Sequence, residues 1–286
     1  MSESKLTDLS YLRDLMQRHG ITAKKKYGQN FLVNAAIPKK IAQEGCPESE
    51  AGVLEIGPGM GTLTYELCRR AKKEVALEID QTLLPVLEET LAEFDNIQVI
   101  SGDAMKTDLV SLCQKEFSEC SEIFVCANLP YYITTPLLMR LLECGAPFKS
   151  ITVMLQKEVA DRITAKAGSA EYGAITAAVK YFGTAVKLFS VSPGSFFPMP
   201  KVESCVMQIR IHEHNPYAAC NKEVLFNLIS SAFEQRRKTL LNALKGSFSE
   251  KQRQLIREEL PKMGFSEDVR GEKLDVEDFA HLAKLL

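Results

Sequence analysis

The chain has 286 residues, 45% hydrophobic and 25% charged, with a net charge of −2. That length suits one large domain with a smaller partner, and the composition is that of a globular protein rather than a disordered or fibrous one. Met1-Ser2-Glu3-Ser4-Lys5 lacks the basic-then-apolar pattern of a secretory leader, and no apolar run approaches the roughly 18–20 residues that span a bilayer, so a cytoplasmic protein with no membrane contact is expected.

Helical periodicity covers 8–19 and ends at Gly20; a basic stretch then leads into Gly28-Gln29-Asn30-Phe31-Leu32, and 35–44 reads as a second helix. From residue 52 strands and helices alternate. Strands are predicted at 53–56, 75–79, 97–100, 123–127 and 150–155, with helices at 62–70, 81–94, 108–116, 136–143 and 157–164 between and after them. Such alternation predicts parallel βαβ units with helices on both faces. A helix at 172–182 and strands at 186–191 and 202–211 follow, separated by Ser195-Phe196-Phe197-Pro198-Met199-Pro200, read as a stiff extended loop. Beyond about residue 212 only short helices are predicted, at 221–235, 237–245, 250–260 and 275–285. The expected division is therefore 1–213, an α/β domain with a basic N-terminal segment, and 214–286, a small all-α domain.

Cys46, Cys68, Cys113, Cys120, Cys126, Cys144, Cys205 and Cys220 form no C-x-x-C pair and several sit in apolar runs, so buried reduced thiols are expected rather than a disulfide or zinc framework. His212 and His214 could share a strand face, but two ligands do not make a site, and no metal is expected. The near-neutral total charge hides local clusters. Arg13, Arg18, Lys24, Lys25, Lys26, Lys39 and Lys40 crowd the N-terminus; Arg236, Arg237, Lys238, Lys245, Lys251, Arg253 and Arg257 form a second group. These are either phosphate-binding faces or ordinary solvated surface.

Four strand ends carry candidate chemistry. Gly57-Pro58-Gly59-Met60-Gly61 follows the first strand of the alternation and precedes a helix, a place where glycines allow a ligand close to the backbone. Its spacing is G-x-G-x-G, not the G-x-G-x-x-G of dinucleotide sites, which points away from a pyrophosphate and towards S-adenosylmethionine; by itself it could also be a plain strand–helix turn. Glu78, ending the next strand about 20 residues on, is placed to accept from two ribose hydroxyls or is a surface acid. Asp103, in Gly102-Asp103-Ala104-Met105, is placed to accept from an adenine amine, with the Ala104 N–H donating to the ring, or closes a turn.

Asn128-Leu129-Pro130-Tyr131 ends the fourth strand. An adenine N6 amine is a weak nucleophile because its lone pair is delocalised into the ring. Two acceptors on its N–H groups, the Asn128 side-chain oxygen and the Leu129 carbonyl, would draw the nitrogen towards sp³. Pro130 fixes the turn without a competing N–H, and Tyr131 offers a face for the base. No general base is required, because the transferred methyl makes the proton acidic.

Together with Glu55-Ile56, Glu78-Ile79-Asp80, Tyr132-Ile133, Gln156 to Arg162, Phe196 to Ser204 and Ala232 to Leu240, these motifs resemble the ribosomal RNA adenine dimethyltransferases over about residues 20–285. The resemblance is closest to the bacterial small-subunit branch. It implies a Rossmann-like class I methyltransferase fold with a mostly parallel seven-stranded sheet, S-adenosylmethionine as cofactor with S-adenosylhomocysteine as product, and dimethylation of two adjacent adenosines in the hairpin loop near the 3′ end of 16S ribosomal RNA, within the 30S subunit or its precursor, by a monomer. By position, Gln29, Asn30, Leu32, Gly57, Gly59, Glu78, Ile79, Asp103, Ala104 and Asn128 are expected at the cofactor. Asn128, Leu129, Pro130, Tyr131 and Phe196 are expected at the target base; Phe196 aligns with the aromatic that stacks opposite Tyr131, while which of Phe196 and Phe197 faces the base and which is a core aromatic stays open. Lys24, Lys25, Lys26, Lys201, Arg236, Arg237 and Lys238 are expected on RNA. Met199 departs from the F-x-P-P-P pattern of that loop. The rival readings are a 23S adenine methyltransferase of the macrolide-resistance type, which shares the core motifs, and a ribosome-assembly factor acting mainly by binding.

Overall fold

A computed structural model describes residues 5–22 and 28–286. In chain order it contains α1 (Leu9–Arg18), β1 (Phe31–Leu32), α2 (Ala36–Gly45), β2 (Gly52–Ile56), α3 (Thr62–Cys68), β3 (Lys73–Glu78), α4 (Leu84–Thr90), β4 (Ile97–Ser101), α5 (Leu109–Glu116), β5 (Ile123–Asn128), α6 (Thr134–Glu143), β6 (Phe148–Gln156), α7 (Lys157–Ile163), α8 (Ala174–Phe182), β7 (Gly183–Val191), β8 (Phe196–Phe197), β9 (Ser204–Ile211), α9 (Lys222–Glu234), α10 (Leu240–Ala243), α11 (Glu250–Glu259) and α12 (Val276–Ala283). None of the described helices is long and apolar enough to cross a membrane.

The chain divides into two compact units, Met1–Ala160 with Val186–Ile211, and Asp161–Ala185 with His212–Leu286. The first is built on a seven-stranded sheet of order β4-β3-β2-β5-β6-β9-β7. Strands β2 to β6 run parallel and β9 antiparallel to β6, so the sheet is mostly parallel, as anticipated. The central strands read as nearly unbroken apolar runs because both faces are covered: every residue of β2 and all but the last of β5 are buried. From β2 the chain winds outward through β3 and β4, then returns to the other side of β2 to form β5. Strand order reverses there, and such a reversal opens a crevice at the carboxyl ends of the two strands. In register, Ile56 lies beside Ala127, so Gly57 and Asn128 leave the sheet side by side.

Some boundaries differ from the periodicity. The helix predicted over 81–94 is a 3-10 turn at Gln81–Leu83 followed by α4, with Pro85 in its first turn. His212 and His214 lie beyond the end of β9 and share no strand face; a ring nitrogen of His212 meets the Lys180 carbonyl at 3.2 Å. The Pro-rich loop holds a two-residue strand: β8 pairs antiparallel with β1, Leu32 opposite Phe196 and Phe31 opposite Phe197. All eight cysteines are free thiols.

The second unit is helical around Tyr172, Leu225, Leu228, Ile256 and Phe279. Beside the single break anticipated at 213/214, it takes in residues 161–185. The reason is α8, whose Ala177 and Tyr181 are part of this core, with the Tyr181 ring edge-on to Phe226 at 5.3 Å. Asn221, Ser249 and Asp275 cap α9, α11 and α12 by accepting first-turn N–H groups, which fixes where these short helices begin.

Candidate active site

A cleft at the carboxyl ends of the strands is lined by Gly28–Leu32, Glu55, Gly57–Met60, Thr62, Leu63, Glu78, Ile79, Leu83 and Asn128–Tyr132. Its floor is the turn from β2 into α3. Gly57 and Gly59 have φ of +73° and +61°. A Cβ at Gly57 would meet nothing, so the glycine is needed for its left-handed backbone rather than for space. Glu78 is 4% exposed; one carboxylate oxygen accepts from the Gly59 N–H at 3.3 Å and the other from the Asp80 N–H at 2.7 Å. Burial pushes its carboxyl above the ordinary carboxylate range, and the two backbone donors partly offset that. Neither Glu78 nor Asp80 is a surface acid. Asp80 caps the following turn and accepts from the Gln29 amide at 3.0 Å.

The segment Gly28 to Leu32 is strapped across the cleft at three points. Gln29 is tied to Asp80, the Asn30 carbonyl accepts from Asn128 Nδ2 at 3.3 Å, and β1 pairs with β8. These contacts place Gln29, Asn30 and Leu32 on the cleft wall beside Gly57, Gly59, Glu78, Ile79 and Asn128, the company expected of them. The Leu129 N–H donates to the Met154 carbonyl at 3.0 Å, and the Pro130 carbonyl accepts from the Ile133 N–H and the Thr134 hydroxyl. The turn Asn128 to Tyr131 is thus held at both ends. The Tyr131 hydroxyl lies 2.7 Å from Ser204 Oγ on β9, which fixes its ring, and burial raises its phenol so that it stays neutral.

Other expected residues lie elsewhere. Asp103 and Ala104 follow β4, next along the sheet edge from Glu78, but outside the cleft lining. Asp103 closes its own turn, accepting from the Met105 N–H at 2.9 Å. Phe196 is not part of the cleft lining: it is 4% exposed and packs with Leu32, Met154, Val191 and Val206. Phe197 is the half-buried one, under the Arg13 guanidinium at 5.1 Å, so of the two rings Phe196 is the core aromatic. The β1–β8 register decides this, since it turns Phe196 inward with Leu32.

Lys201, Arg236, Arg237 and Lys238 are exposed; Arg236 already pairs with Glu272 at 3.3 Å. Lys24, Lys25 and Lys26 lie outside the described residues. Of the other N-terminal cations, Arg18 pairs with Asp14 and Glu89, and Lys40 sits over the Phe189 ring at 4.2 Å.

Tyr132 and Glu55 are among the lining residues to which the sequence assigned no role. Tyr132 lines the mouth. Glu55 is 1% exposed, and its Oε2 has no hydrogen-bond partner among the described residues. An acid inside an otherwise apolar strand was the available signal. With Glu55 and Glu78 the cleft has two acids and, among its described lining residues, no base. That lining suits a cationic ligand without phosphates. A buried acid for vicinal hydroxyls and the apolar Ile79, 47% exposed, fit the adenosyl part of S-adenosylmethionine.

Comparison with known proteins agrees. The family model of ribosomal RNA adenine dimethylase matches residues 20–286. The chain is 42% identical over 276 residues to the ribosomal RNA small subunit methyltransferase A of Geobacillus thermodenitrificans, covering 96% of this chain and 94% of that one. It is 43% identical over 273 residues to the protein of the same name in Shouchella clausii, covering 95% and 92%. Among solved structures, a dimethyladenosine transferase from Plasmodium falciparum superposes with a TM-score of 0.71 at 28% identity, over 88% of this chain and 95% of that one. The 23S rRNA methyltransferase ErmE, at 24% identity and a TM-score of 0.69 over 89% and 98%, shares the fold. With the glycine turn, Glu78 and Asn128 to Tyr131 in one cleft and the family match covering residues 20–286, the chain belongs to the ribosomal RNA adenine dimethylase family.

Proposed function

We propose that this protein dimethylates N6 of two adjacent adenosines in the hairpin loop near the 3′ end of 16S ribosomal RNA, acting in the cytoplasm as a monomer on the 30S subunit or its precursor. The observation that carries the reading is the placement of Asn128-Leu129-Pro130-Tyr131 on the same cleft as Glu78 and the glycine turn. The curated relatives matched over almost the whole chain, named for the small subunit, support that substrate over 23S RNA. The intact Asn128 to Tyr131 turn supports catalysis over binding alone.

S-adenosyl-L-methionine is the methyl donor and supplies an activated methyl on a sulfonium. Gly57, Gly59, Glu78, Ile79, Gln29, Asn30, Leu32 and Asn128 would hold it, with Asp103 and Ala104 one strand further along. The rest follows from the chain's own residues. Asn128 commits its Nδ2 to the Asn30 carbonyl, which leaves Oδ1 to accept from the target amine. Leu129, its N–H already bonded to Met154, offers its carbonyl as the second acceptor. These two acceptors localise the N6 lone pair and aim it for in-line attack. Tyr131, locked by Ser204, supplies a flat face for the base. Phe196 can join only if its side chain leaves the core it packs in here. The target must be unpaired, which a hairpin loop provides at small energetic cost. Arg236, Arg237, Lys238, Lys201 and Lys24 to Lys26 are assigned to phosphates.

The test is methyl transfer from labelled cofactor to purified, under-methylated 30S subunits and, separately, to 50S subunits. Label in 30S RNA is expected; label only in 50S RNA would overturn the substrate assignment.

A further inference from the structure

Tyr132 is 59% exposed and, among the described residues, is the only aromatic side chain left largely in solvent. A lone exposed apolar residue needs no explanation by itself; this one lines the mouth of the cleft. Tyr131 and Tyr132 are consecutive but diverge. Tyr131 runs inward to Ser204 on β9, whereas the Tyr132 ring lies against Gly28, where a Cβ would stand 3.5 Å from its Cδ1. Gly28 has a φ of +58°, so the glycine serves the left-handed turn of the N-terminal strap beside this ring. The result is a ring backed by the strap on one side and open to solvent on the other. A base inserted against Tyr131 is covalently joined to a neighbour that must leave the cleft at its mouth. Aromatic rings bind such a base by stacking, whatever its identity.

We propose that Tyr132 is the stacking platform for the nucleotide next to the target adenine. It holds the strand in register while the two adjacent adenosines take turns in the cleft. This rests on the reading of the protein as an RNA adenine dimethyltransferase. Tyr132 is a positioning residue in this scheme, not a catalytic one. It gives the site its preference for an adenine that has an unpaired neighbour.

The experiment uses wild-type enzyme and the variants Tyr132→Phe, Tyr132→Leu and Tyr132→Ala, each checked for folding by circular dichroism. The substrate is under-methylated 30S subunits, with mass analysis of both adenosines and a separate measurement of cofactor affinity. Tyr132→Phe keeps the ring and should behave as wild type. Tyr132→Ala and Tyr132→Leu should raise KM for RNA about tenfold or more, the effect of losing one stacked base. Cofactor affinity should stay unchanged, and RNA modified at only one of the two adenosines should accumulate. An unchanged KM and product pattern in both variants, with wild type active, would overturn the role of Tyr132 alone. So would a loss confined to cofactor affinity, which would make Tyr132 part of the cofactor wall. If wild type modifies no adenosine in 30S, the underlying reading fails and the proposal with it.

Discussion

In the proposed mechanism two side chains matter most, Asn128 at the target amine and Glu78 at the cofactor. Asn128 presents its oxygen because its nitrogen is taken by Asn30. Asn128→Ala should keep the fold and lower turnover by roughly 10²–10³, as removal of a transition-state hydrogen-bond partner does; single-turnover kinetics read this directly, and unchanged turnover would remove Asn128 from the mechanism. Glu78 is tied to Gly59 and Asp80 rather than to solvent. Glu78→Ala should weaken cofactor binding by about tenfold or more, the worth of charge-assisted hydrogen bonds; calorimetry that finds the same affinity would return Glu78 to a structural role. Both were legible as cleft residues, because an acid or amide at the carboxyl end of a parallel strand has few other reasons to be there. Phe196 was not. Which of two consecutive phenylalanines turns inward is decided by the β1–β8 pairing, made between segments far apart in sequence.

Among the elements, β2 and β3 carry an unusual burden. Glu55 and Glu74 are fully buried on neighbouring strands, with Cys68 Sγ donating to Glu74 at 3.2 Å. Burial, and for Glu74 also the charge of Glu55, pushes both carboxyls up. Values raised in the fold mean that ionisation costs more there than in the unfolded chain. The stability contributed by the neutral form is complete below the ordinary carboxylate value of about 4.3 and is lost as pH rises through the raised values. Glu74→Gln should therefore melt close to wild type at pH 5 and above it at pH 9, by about 2–4 °C for each kcal/mol recovered. A difference in melting temperature that does not change with pH would contradict this. The strands themselves were plain from their apolar runs. The start of α4 was not, since Pro85 sets it and periodicity runs smoothly past it.

At the scale of the whole molecule, a parallel sheet with helices on both faces and a cleft at the carboxyl ends of its strands follow from strand–helix alternation, whereas the strand order β4-β3-β2-β5-β6-β9-β7 is fixed only by the structure. Nor does the membership of residues 161–185 in the helical unit follow from the alternation, because α8 looks like one more crossover helix until its partners in the second core are known. That unit carries Arg236, Arg237 and Lys238. Replacing all three with Ala should weaken 30S binding and flatten its salt dependence, with Arg236 contributing least because Glu272 already pairs with it; filter binding across a salt series that shows neither change would make the cluster a solvated face. The central claim is tested most directly by mass analysis of the 3′-terminal fragment of 16S RNA after wild-type enzyme and S-adenosylmethionine have acted on under-methylated 30S subunits. The prediction is two adjacent adenosines, each carrying two methyl groups on N6; an unmodified fragment, or methyl groups on any other base or atom, would contradict it.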